Sequence, residues 1–212
     1  IKPFESFAKE HLEKGRTIVY VSLDQKILGA FAFEHEVRAG TKEMLEGLVE
    51  RGVKHLVLLS GDEEKVANAF AQEYGFNEVY ANVMPEGKAD VIDALKTKYQ
   101  NVVMVGDGIN DTIAMSRADV AISFASGGSE AAIEISNIAI TKSDPMDILN
   151  LYDLSQKSLH VISQNYWLGT GTNLAGVGLA GLGLLSPIAA GAIHIGHTVG
   201  IMANSSRLAF KK

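Results

Sequence analysis

Residues 104–111 read Met-Val-Gly-Asp-Gly-Ile-Asn-Asp and set two carboxylates and an amide on a glycine-bracketed turn directly after an apolar run. Mg²⁺ takes hard oxygen ligands, usually one or two carboxylates completed by water and phosphate oxygens. Gly106 and Gly108 let the backbone turn sharply and approach a ligand closely. Asp107 and Asp111 are therefore candidate Mg²⁺ ligands. The alternative is a loop whose aspartates only cap the helix that follows.

Two further segments add phosphate-binding chemistry. An apolar run at 56–59 leads into Ser60, whose hydroxyl can donate a hydrogen bond to a phosphoryl oxygen. Pro85 suits the first position of a helix, and Lys88, one turn later, offers a point charge to phosphate. The alternatives are that Ser60 is only a helix N-cap and that Lys88 is a solvated helix lysine. The order of these groups along the chain predicts one shared phosphoryl site.

This combination resembles the phosphorylation domain of a P-type ATPase, a member of the haloacid dehalogenase superfamily. The resemblance rests on four motifs: Ser60-Gly61-Asp62, Pro85 with Lys88, Gly106-Asp107-Gly108-Ile109-Asn110-Asp111, and Arg117-Ala118-Asp119-Val120-Ala121-Ile122. It implies that Ser60 and Lys88 hold the phosphoryl group, that Asp107 binds Mg²⁺ and that Asp111 orients the site. The catalytic set that it implies is Ser60, Gly61, Asp62, Lys88, Asn110 and Asp111, with Mg²⁺ and ATP as cofactors.

The family phosphorylates an aspartate in an Asp-Lys-Thr-Gly-Thr motif, and that motif does not occur in the 212 residues. We therefore expect a truncated chain, one half of a split protein, or a degenerate relative, inactive on its own. By resemblance, the strand that carries this aspartate lies between the strands ending at Ser60 and Gly106. We predict a gap in the sheet there and poor folding of these residues alone, because unpaired strand edges are costly to bury.

The alternation of strands and helices after Gly40 predicts parallel βαβ units. We expect an α/β fold, a Rossmann-like parallel sheet of the haloacid dehalogenase type that lacks its nucleophile strand, followed by a two-helix transmembrane hairpin. A β-hairpin is predicted around Asp24-Gln25-Lys26. Predicted helices are 41–51, 63–74, 86–98 and 110–116, and predicted strands are 55–60, 78–81, 102–106, 120–124 and 138–140.

The composition of the chain argues against some classes of binding partner and metal site. The net charge of -6 argues against a nucleic-acid partner, since phosphate backbones are bound by clustered Lys and Arg. With no cysteine, neither a disulfide framework nor a thiolate metal site can form.

The last quarter of the chain changes character. Residues 165–185 and 186–206 contain no Asp, Glu, Lys or Arg, and each run has about the ~20 residues that a bilayer crossing needs. Small residues, including six glycines of the first run, suit close packing between membrane helices. Ser186-Pro187 predicts the turn between them, and Arg207, Lys211 and Lys212 place the C-terminus in the cytoplasm. The alternative is a buried helical hairpin.

Within the second run, a helix places His194, His197 and Thr198 on one face. Imidazole suits Zn²⁺ and neighbouring transition metals, and ionisable residues at membrane depth indicate function; the alternative is polar bonding between helices. The segment resembles a His-Glu-Gly-(Gly/Ser)-Thr run in the last helix of some heavy-metal-transporting P-type ATPases. His194, Gly196 and Thr198 match it, whereas Ile195 and His197 depart from it. Asn173, Gln164-Asn165 and Asn204 also resemble residues of that branch.

The resemblance implies ATP-driven transport of a heavy-metal cation through an aspartyl-phosphate intermediate. It divides the chain into 1–29 (end of the nucleotide-binding domain), 30–147 (phosphorylation domain), 148–164 (linking helix) and 165–212 (two membrane helices and a cytoplasmic tail). Expected partners are ATP, the metal ion, the lipid bilayer and the rest of the same multi-pass transporter, with its actuator domain, nucleotide-binding domain and upstream helices. The alternatives are a membrane-tethered phosphatase of the same superfamily and a non-catalytic regulatory fragment.

Overall fold

The computed structural model describes residues 4–14, 16–34, 37–106, 109–125 and 130–210. The chain divides into two units, residues 1–149 and residues 150–212. The helices of the described residues are α1 Glu5–Glu13, α2 Thr41–Glu50, α3 Glu64–Tyr74, α4 Pro85–Lys98, α5 Thr112–Arg117, α6 Glu130–Ile135, α7 Met146–Gly181 and α8 Pro187–Phe210. The strands are β1 Thr17–Leu23, β2 Lys26–Phe33, β3 Val57–Leu59, β4 Glu78–Tyr80, β5 Val103–Gly106, β6 Val120–Phe124 and β7 Ile138–Ile140.

The predicted hairpin is confirmed. Strands β1 and β2 pair antiparallel, and Leu23 lies opposite Lys26 across a two-residue loop. Asp24 and Gln25 both have positive φ, 45° and 63°. Two left-handed residues in succession give the turn whose twist matches that of the flanking strands.

The remaining strands form two parallel sheets, as the alternation predicted. Strand β3 pairs with β4, while β5, β6 and β7 form a separate sheet in that order. Within the described residues, no pairing joins β3 to β5. The break lies where the resemblance places the missing nucleophile strand.

Both sheets pack on one apolar core in the first unit. Its centre is Met115, 1% exposed, which lies with Met104 of β5 and with Ile92 of α4. Val57 and Leu59 of β3 pack against the same cluster. Burial of side chains of this size contributes about 1.5–3 kcal/mol each. The shared core therefore positions the carboxyl ends of β3 and β5 without a hydrogen-bonded strand between them.

Local signals explain where the helices of this unit begin and end. Helix α4 begins at Pro85, as predicted, with Glu86 in its first turn and Lys96 and Lys98 in its last turn. That charge order suits the helix dipole. Helix α3 ends at Tyr74, and Gly75 follows it with a φ of 76°, the left-handed conformation common after a helix C-terminus.

Several predicted boundaries were wrong. Helices α1 and α6 were not predicted, and the segment predicted as a helix over 110–116 begins with a short 3₁₀ turn, Ile109–Asp111, before α5. Residues 148–164, predicted as a linking helix, and residues 165–181 of the first uncharged run lie in one continuous 36-residue helix, α7. No proline or capping motif separates residue 164 from residue 165, so nothing in the sequence ends the helix there.

In the second unit, α7 and α8 are joined by residues 182–186, close to the predicted turn. The Ser186 hydroxyl accepts a hydrogen bond from the Ala189 N–H at 3.2 Å and caps α8. None of the helices in the described ranges is both long enough and apolar enough to cross a membrane. The spans predicted at 165–185 and 186–206 are thus not confirmed, because glycine, histidine and asparagine lower the hydropathy of both.

Candidate functional site

Ser60 begins the loop after β3, and its backbone is fixed to β4. Its N–H donates to the Tyr80 carbonyl at 2.9 Å, and its own carbonyl accepts from the Val83 N–H at 3.0 Å. The Ser60 hydroxyl donates to Asp62 Oδ2 at 2.8 Å and accepts from the Asp62 N–H at 3.1 Å. Glu63, not Ser60, is the N-cap residue of α3. The interpretation of Ser60 as only a helix cap is therefore wrong.

The loop after β4 lies against this turn. Asn82 donates its N–H to the Asp62 carbonyl at 2.8 Å and has a positive φ of 54°. With Glu64 and Asn68 it lines a cavity of about 270 Å³. A Cβ on Gly61 would lie 3.5 Å from the Val83 carbonyl, an ordinary contact. Sequence reasoning missed Asn82, although asparagine after a strand is a known signal for the left-handed conformation.

Lys88 and Asp111 form the centre of the site. Lys88 Nζ lies 2.6 Å from Asp111 Oδ1, and the two side chains are only 13% and 18% exposed. Lys88 stands one turn into α4, and Asp111 ends the 3₁₀ turn before α5. The interpretation of Lys88 as a solvated helix lysine is therefore wrong. Asp111 occupies the N-cap position of α5, but its side chain makes no cap hydrogen bond there and pairs with Lys88 instead.

Gly106, the last residue of β5, has no side chain and so leaves space for the Asp111 carboxylate. A Cβ on Gly106 would lie 3.3 Å from Asp111 Oδ2 and 3.2 Å from Met115 Sδ. Both contacts are tighter than ordinary packing. Asn110 is exposed on the 3₁₀ turn. Asp107, the predicted Mg²⁺ ligand, lies outside the described residues.

Ser60 directly follows β3 and Asp111 follows β5, and both strands pack on one core, while Lys88 reaches Asp111 from α4. Parallel sheets bind ligands at that edge. A hydroxyl donor, an ammonium group and carboxylates are the groups that recognise a phosphoryl oxygen and a hard cation. Within the described ranges, no three His, Asp or Glu side chains lie close enough together to hold a metal ion.

Asp119, in the last of the four family motifs, has a structural role. Lys96 Nζ lies 2.9 Å from Asp119 Oδ1, and the Val102 N–H donates to Asp119 Oδ2 at 2.9 Å. The hydrogen bond from Lys96, and then that from Val102, hold the pKa of the Asp119 carboxyl below its usual range. These contacts tie the amino ends of β5 and β6 together, at the edge opposite Ser60 and Asp111.

A second group of candidates lies in the second unit. Asn173 of α7 and His194 and His197 of α8 line one cavity of about 280 Å³, whose other walls are mostly apolar. The structure thus brings together three of the four predicted metal ligands. Thr198 lies outside that lining, and its hydroxyl donates to the His194 carbonyl at 2.9 Å. The Thr198 hydroxyl thus bonds within its own helix, as is common for threonine in helices.

Polar side chains also join α7 to α8 near the end of α8. Asn204 donates to Asn165 Oδ1 at 2.9 Å and to Gln164 Oε1 at 3.3 Å. Asn165 in turn donates to the Ser205 hydroxyl at 2.9 Å. Three of the four residues that the resemblance singled out, Gln164, Asn165 and Asn204, thus form one hydrogen-bonded cluster between the two helices.

Comparisons with known proteins find a matching family and related sequences. A family model for haloacid dehalogenase-like hydrolases matches residues 2–119. The chain is 36% identical over 196 residues to a zinc-exporting P-type ATPase of Mycobacterium marinum, covering 92% of this chain and 27% of that protein. It is also 36% identical over 205 residues to a manganese-exporting P-type ATPase of Mycobacterium leprae, covering 95% of this chain and 28% of that protein.

The structural comparison extends to both units. A crystal structure of a zinc-transporting PIB-type ATPase in the E2.Pi state matches 97% of this chain and 33% of that chain, with a TM-score of 0.83 and 30% identity. The chain spans between a quarter and a third of the length of the curated relatives that it matches. Equal identity to a zinc exporter and a manganese exporter leaves the ion open.

Proposed function

The chain belongs to the haloacid dehalogenase-like hydrolase family, and from this premise we propose that it is the C-terminal part of an ATP-driven heavy-metal transporter. The observation that carries the proposal is the Lys88–Asp111 pair, with Nζ and Oδ1 2.6 Å apart, in a unit whose parallel strands form two separate sheets. The partly buried ammonium group of Lys88 in α4 and the Ser60 hydroxyl after β3 favour phosphoryl transfer. The likeness to P-type ATPases over nearly the whole chain favours transport as the use of that chemistry.

Each described side chain has a distinct role in this proposal. The Lys88 ammonium offsets negative charge on the phosphoryl group as it moves. Asp111 fixes the position of Lys88 through its Oδ1 contact, and Gly106 lets the carboxylate fold back over the end of β5. The Ser60 hydroxyl, held by the turn with Asp62, exchanges that internal hydrogen bond for a phosphoryl oxygen.

The donor chemistry of the site fits Mg²⁺. Asp111 Oδ2 is directed towards the end of β5, and carboxylate oxygens are the ligands that this hard cation prefers. Asp107 and Asp111 would hold the ion, which would supply positive charge to the phosphate oxygens when bound. Because Asp111 already pairs with Lys88, this chain contributes to phosphoryl transfer an ammonium group in a fixed position.

We place the nucleophile outside this chain. In the described residues β3-β4 and β5-β6-β7 are two separate parallel sheets. A strand of the remaining protein that ends in an aspartate would join them. The carboxylate oxygen would attack the γ-phosphorus of ATP, the bond from that phosphorus to the bridging oxygen would break, and ADP would leave with the electron pair.

The two long helices are proposed as the last membrane helices of the transporter, with the catalytic unit and the C-terminus in the cytoplasm. Large apolar side chains of both helices are exposed, among them Leu174 at 69%, Val177 at 72% and Ile188 at 87%. An apolar surface of this kind indicates a covering by lipid or by other helices. Polar groups concentrate instead between α7 and α8, where a transport path needs them.

Domain roles follow in the proposal. Residues 1–29 are proposed as the end of a nucleotide-binding domain, and residues 30–147 as the phosphorylation domain. Residues 148–164 would link that domain to the membrane helices, and residues 165–212 would contain those helices and the cytoplasmic tail. Because α7 begins at Met146 and continues to Gly181, one helix spans the last boundary. We propose that it couples phosphorylation to the helices, and that ATP, the cargo ion, lipid and the upstream domains are the partners.

The test is metal-dependent ATPase activity of the full-length protein across a panel of divalent and monovalent heavy-metal ions. The proposal predicts that one or a few ions stimulate hydrolysis and that Lys88→Met abolishes the stimulated part. Steady phosphatase activity on small phosphate esters, without any stimulation by metal or any use of ATP, would instead identify a membrane-tethered phosphatase. Binding to a pump without hydrolysis would identify a regulatory fragment.

A further inference from the structure

His197 carries an unusual nitrogen. Its Nε2 is buried, and in the part of the chain that the structure describes no hydrogen-bond partner reaches it. Leaving such a group unsatisfied costs about 1–3 kcal/mol, and buried polar groups in native proteins are nearly always bonded. A ligand that binds this nitrogen would remove that cost.

Gly169 of α7 leaves the space that the His197 imidazole ring occupies. A Cβ on Gly169 would lie 3.3 Å from His197 Cε1 and 3.4 Å from Nε2. Both distances are shorter than the 3.5–4.0 Å of relaxed contacts. Of the six glycines predicted to pack between helices, five (Gly171, Gly176, Gly178, Gly181 and Gly183) have no described atom within 4 Å of the position that a Cβ would take. Gly169 is therefore singled out by its contact with one imidazole.

The surroundings of His197 suit a metal cation. His194, one turn earlier in α8, and Asn173 of α7 line the same cavity. Two imidazoles and an amide oxygen are an incomplete set for a four-coordinate ion, so other parts of the protein would supply the remainder. In the resembled His-Glu-Gly-(Gly/Ser)-Thr run a small residue stands where this chain has His197, so the resemblance assigns it no role.

We propose that His197 Nε2, seated by Gly169, is a ligand of the transported ion, together with His194. Imidazole ligands favour borderline ions such as Zn²⁺ or Co²⁺, whereas carboxylate and carbonyl oxygens suit Mn²⁺. The site therefore selects a zinc-like divalent cation over manganese. This inference rests on the proposed transport function and names its cargo class.

The test uses the full-length protein in lipid vesicles and four forms: wild type, His197→Ala, Gly169→Ala and Gly171→Ala. The two glycine variants gain the same methyl group on the same helix, but only the first meets the imidazole. We expect the Zn²⁺ concentration for half-maximal ATPase stimulation to rise at least ~10-fold in His197→Ala and several-fold in Gly169→Ala. Gly171→Ala should stay within about twofold of wild type. Co²⁺ loading gives a second readout, because loss of an imidazole ligand changes its visible absorption spectrum.

Phosphorylation of the full-length protein by inorganic phosphate, without heavy-metal ions, is the folding control, since it does not depend on binding of the transported ion. If His197→Ala and Gly169→Ala accept phosphate normally yet keep wild-type Zn²⁺ dependence and Co²⁺ spectra, the inference is wrong. The same conclusion holds if they only lower thermal stability, because His197 would then bond a donor from another helix. Failure of the wild type to be phosphorylated from ATP with any ion would overturn the proposed transport function instead, and equilibrium Co²⁺ binding would still report on His197.

Discussion

The ion pair between Lys88 and Asp111 gives the sharpest quantitative prediction. At the observed 2.6 Å separation, two unit charges attract by roughly 6 kcal/mol in a medium with an effective dielectric constant of about 20. The side chains are 13% and 18% exposed, so desolvation offsets a large part of that attraction. We expect a net coupling of about 2 kcal/mol, which corresponds to a factor of roughly 30.

A double-mutant cycle on the full-length protein measures this coupling. The variants are Lys88→Met, Asp111→Asn and the double substitution, and the assay is the rate of phosphoenzyme formation from ATP at saturating Mg²⁺. Loss of one group that stabilises developing charge slows the reaction by about 100-fold. Independent effects would make the double variant ~10⁴-fold slower. With the coupling above, we expect only about 300-fold.

The matched control is the exposed pair of Arg117 and Asp93, whose side chains are 59% and 50% exposed and whose charged atoms lie 3.6 Å apart. Solvent screens such a pair, so its cycle should show coupling close to zero. A double variant of Lys88 and Asp111 that reaches the full product of the single effects would refute the reasoning. It would show that Asp111 does not act by positioning the Lys88 ammonium.

Three further predictions follow from single side chains. Ser60→Ala should slow phosphoenzyme formation by about 10–100-fold, whereas Ser60→Thr, which keeps the hydroxyl, should stay within a few-fold of wild type. Leu159→Pro, in the middle of α7, should leave phosphoenzyme formation measurable but abolish vesicle transport, because proline breaks a helix. Leu159→Ala is the control. Intact transport in the proline variant would disprove coupling through α7. Hydrogen bonds from Lys98 and then from Tyr99 lower the pKa of the Glu78 carboxyl. The ionised carboxylate therefore stabilises the folded state fully at pH values above the ordinary carboxyl pKa, and this stabilisation is lost as the pH falls through the lowered pKa. In Glu78→Gln, Tm should therefore decline less steeply below about pH 5 than in the wild type. An unchanged decline would show that the Glu78 carboxylate does not contribute to the loss of stability in acid.

Sequence reasoning selected Ser60, Lys88 and Asp111 as candidate site residues, but it did not predict all of their contacts. Ser60, Lys88 and Asp111 follow strands or begin helices, and local rules locate such positions well. The direct pairing of Lys88 with Asp111 spans 23 residues, and no local pattern specifies a contact of that range. The role of Gly106 was predicted as a sharp turn, whereas the structure shows room for a folded-back carboxylate.

The helical unit was predicted less completely, for a physical reason. Runs without charge indicate where helices begin and end only if a capping signal interrupts them. None does so at residue 164, so α7 continues to Gly181. The glycines of this run predicted close packing in general, but only the facing helix decides which one touches His197. Such a choice depends on helix rotation, which the sequence does not encode locally.

The most direct test of the central claim is acid-stable labelling of the full-length protein by ATP carrying a radioactive γ-phosphate. We predict a label that forms only with Mg²⁺ and a stimulating heavy-metal ion, that hydroxylamine removes as expected for an acyl phosphate, and that Lys88→Met strongly reduces. Rapid metal-stimulated ATP hydrolysis without any acid-stable label, or a label that resists hydroxylamine, would contradict the aspartyl-phosphate mechanism proposed for this chain.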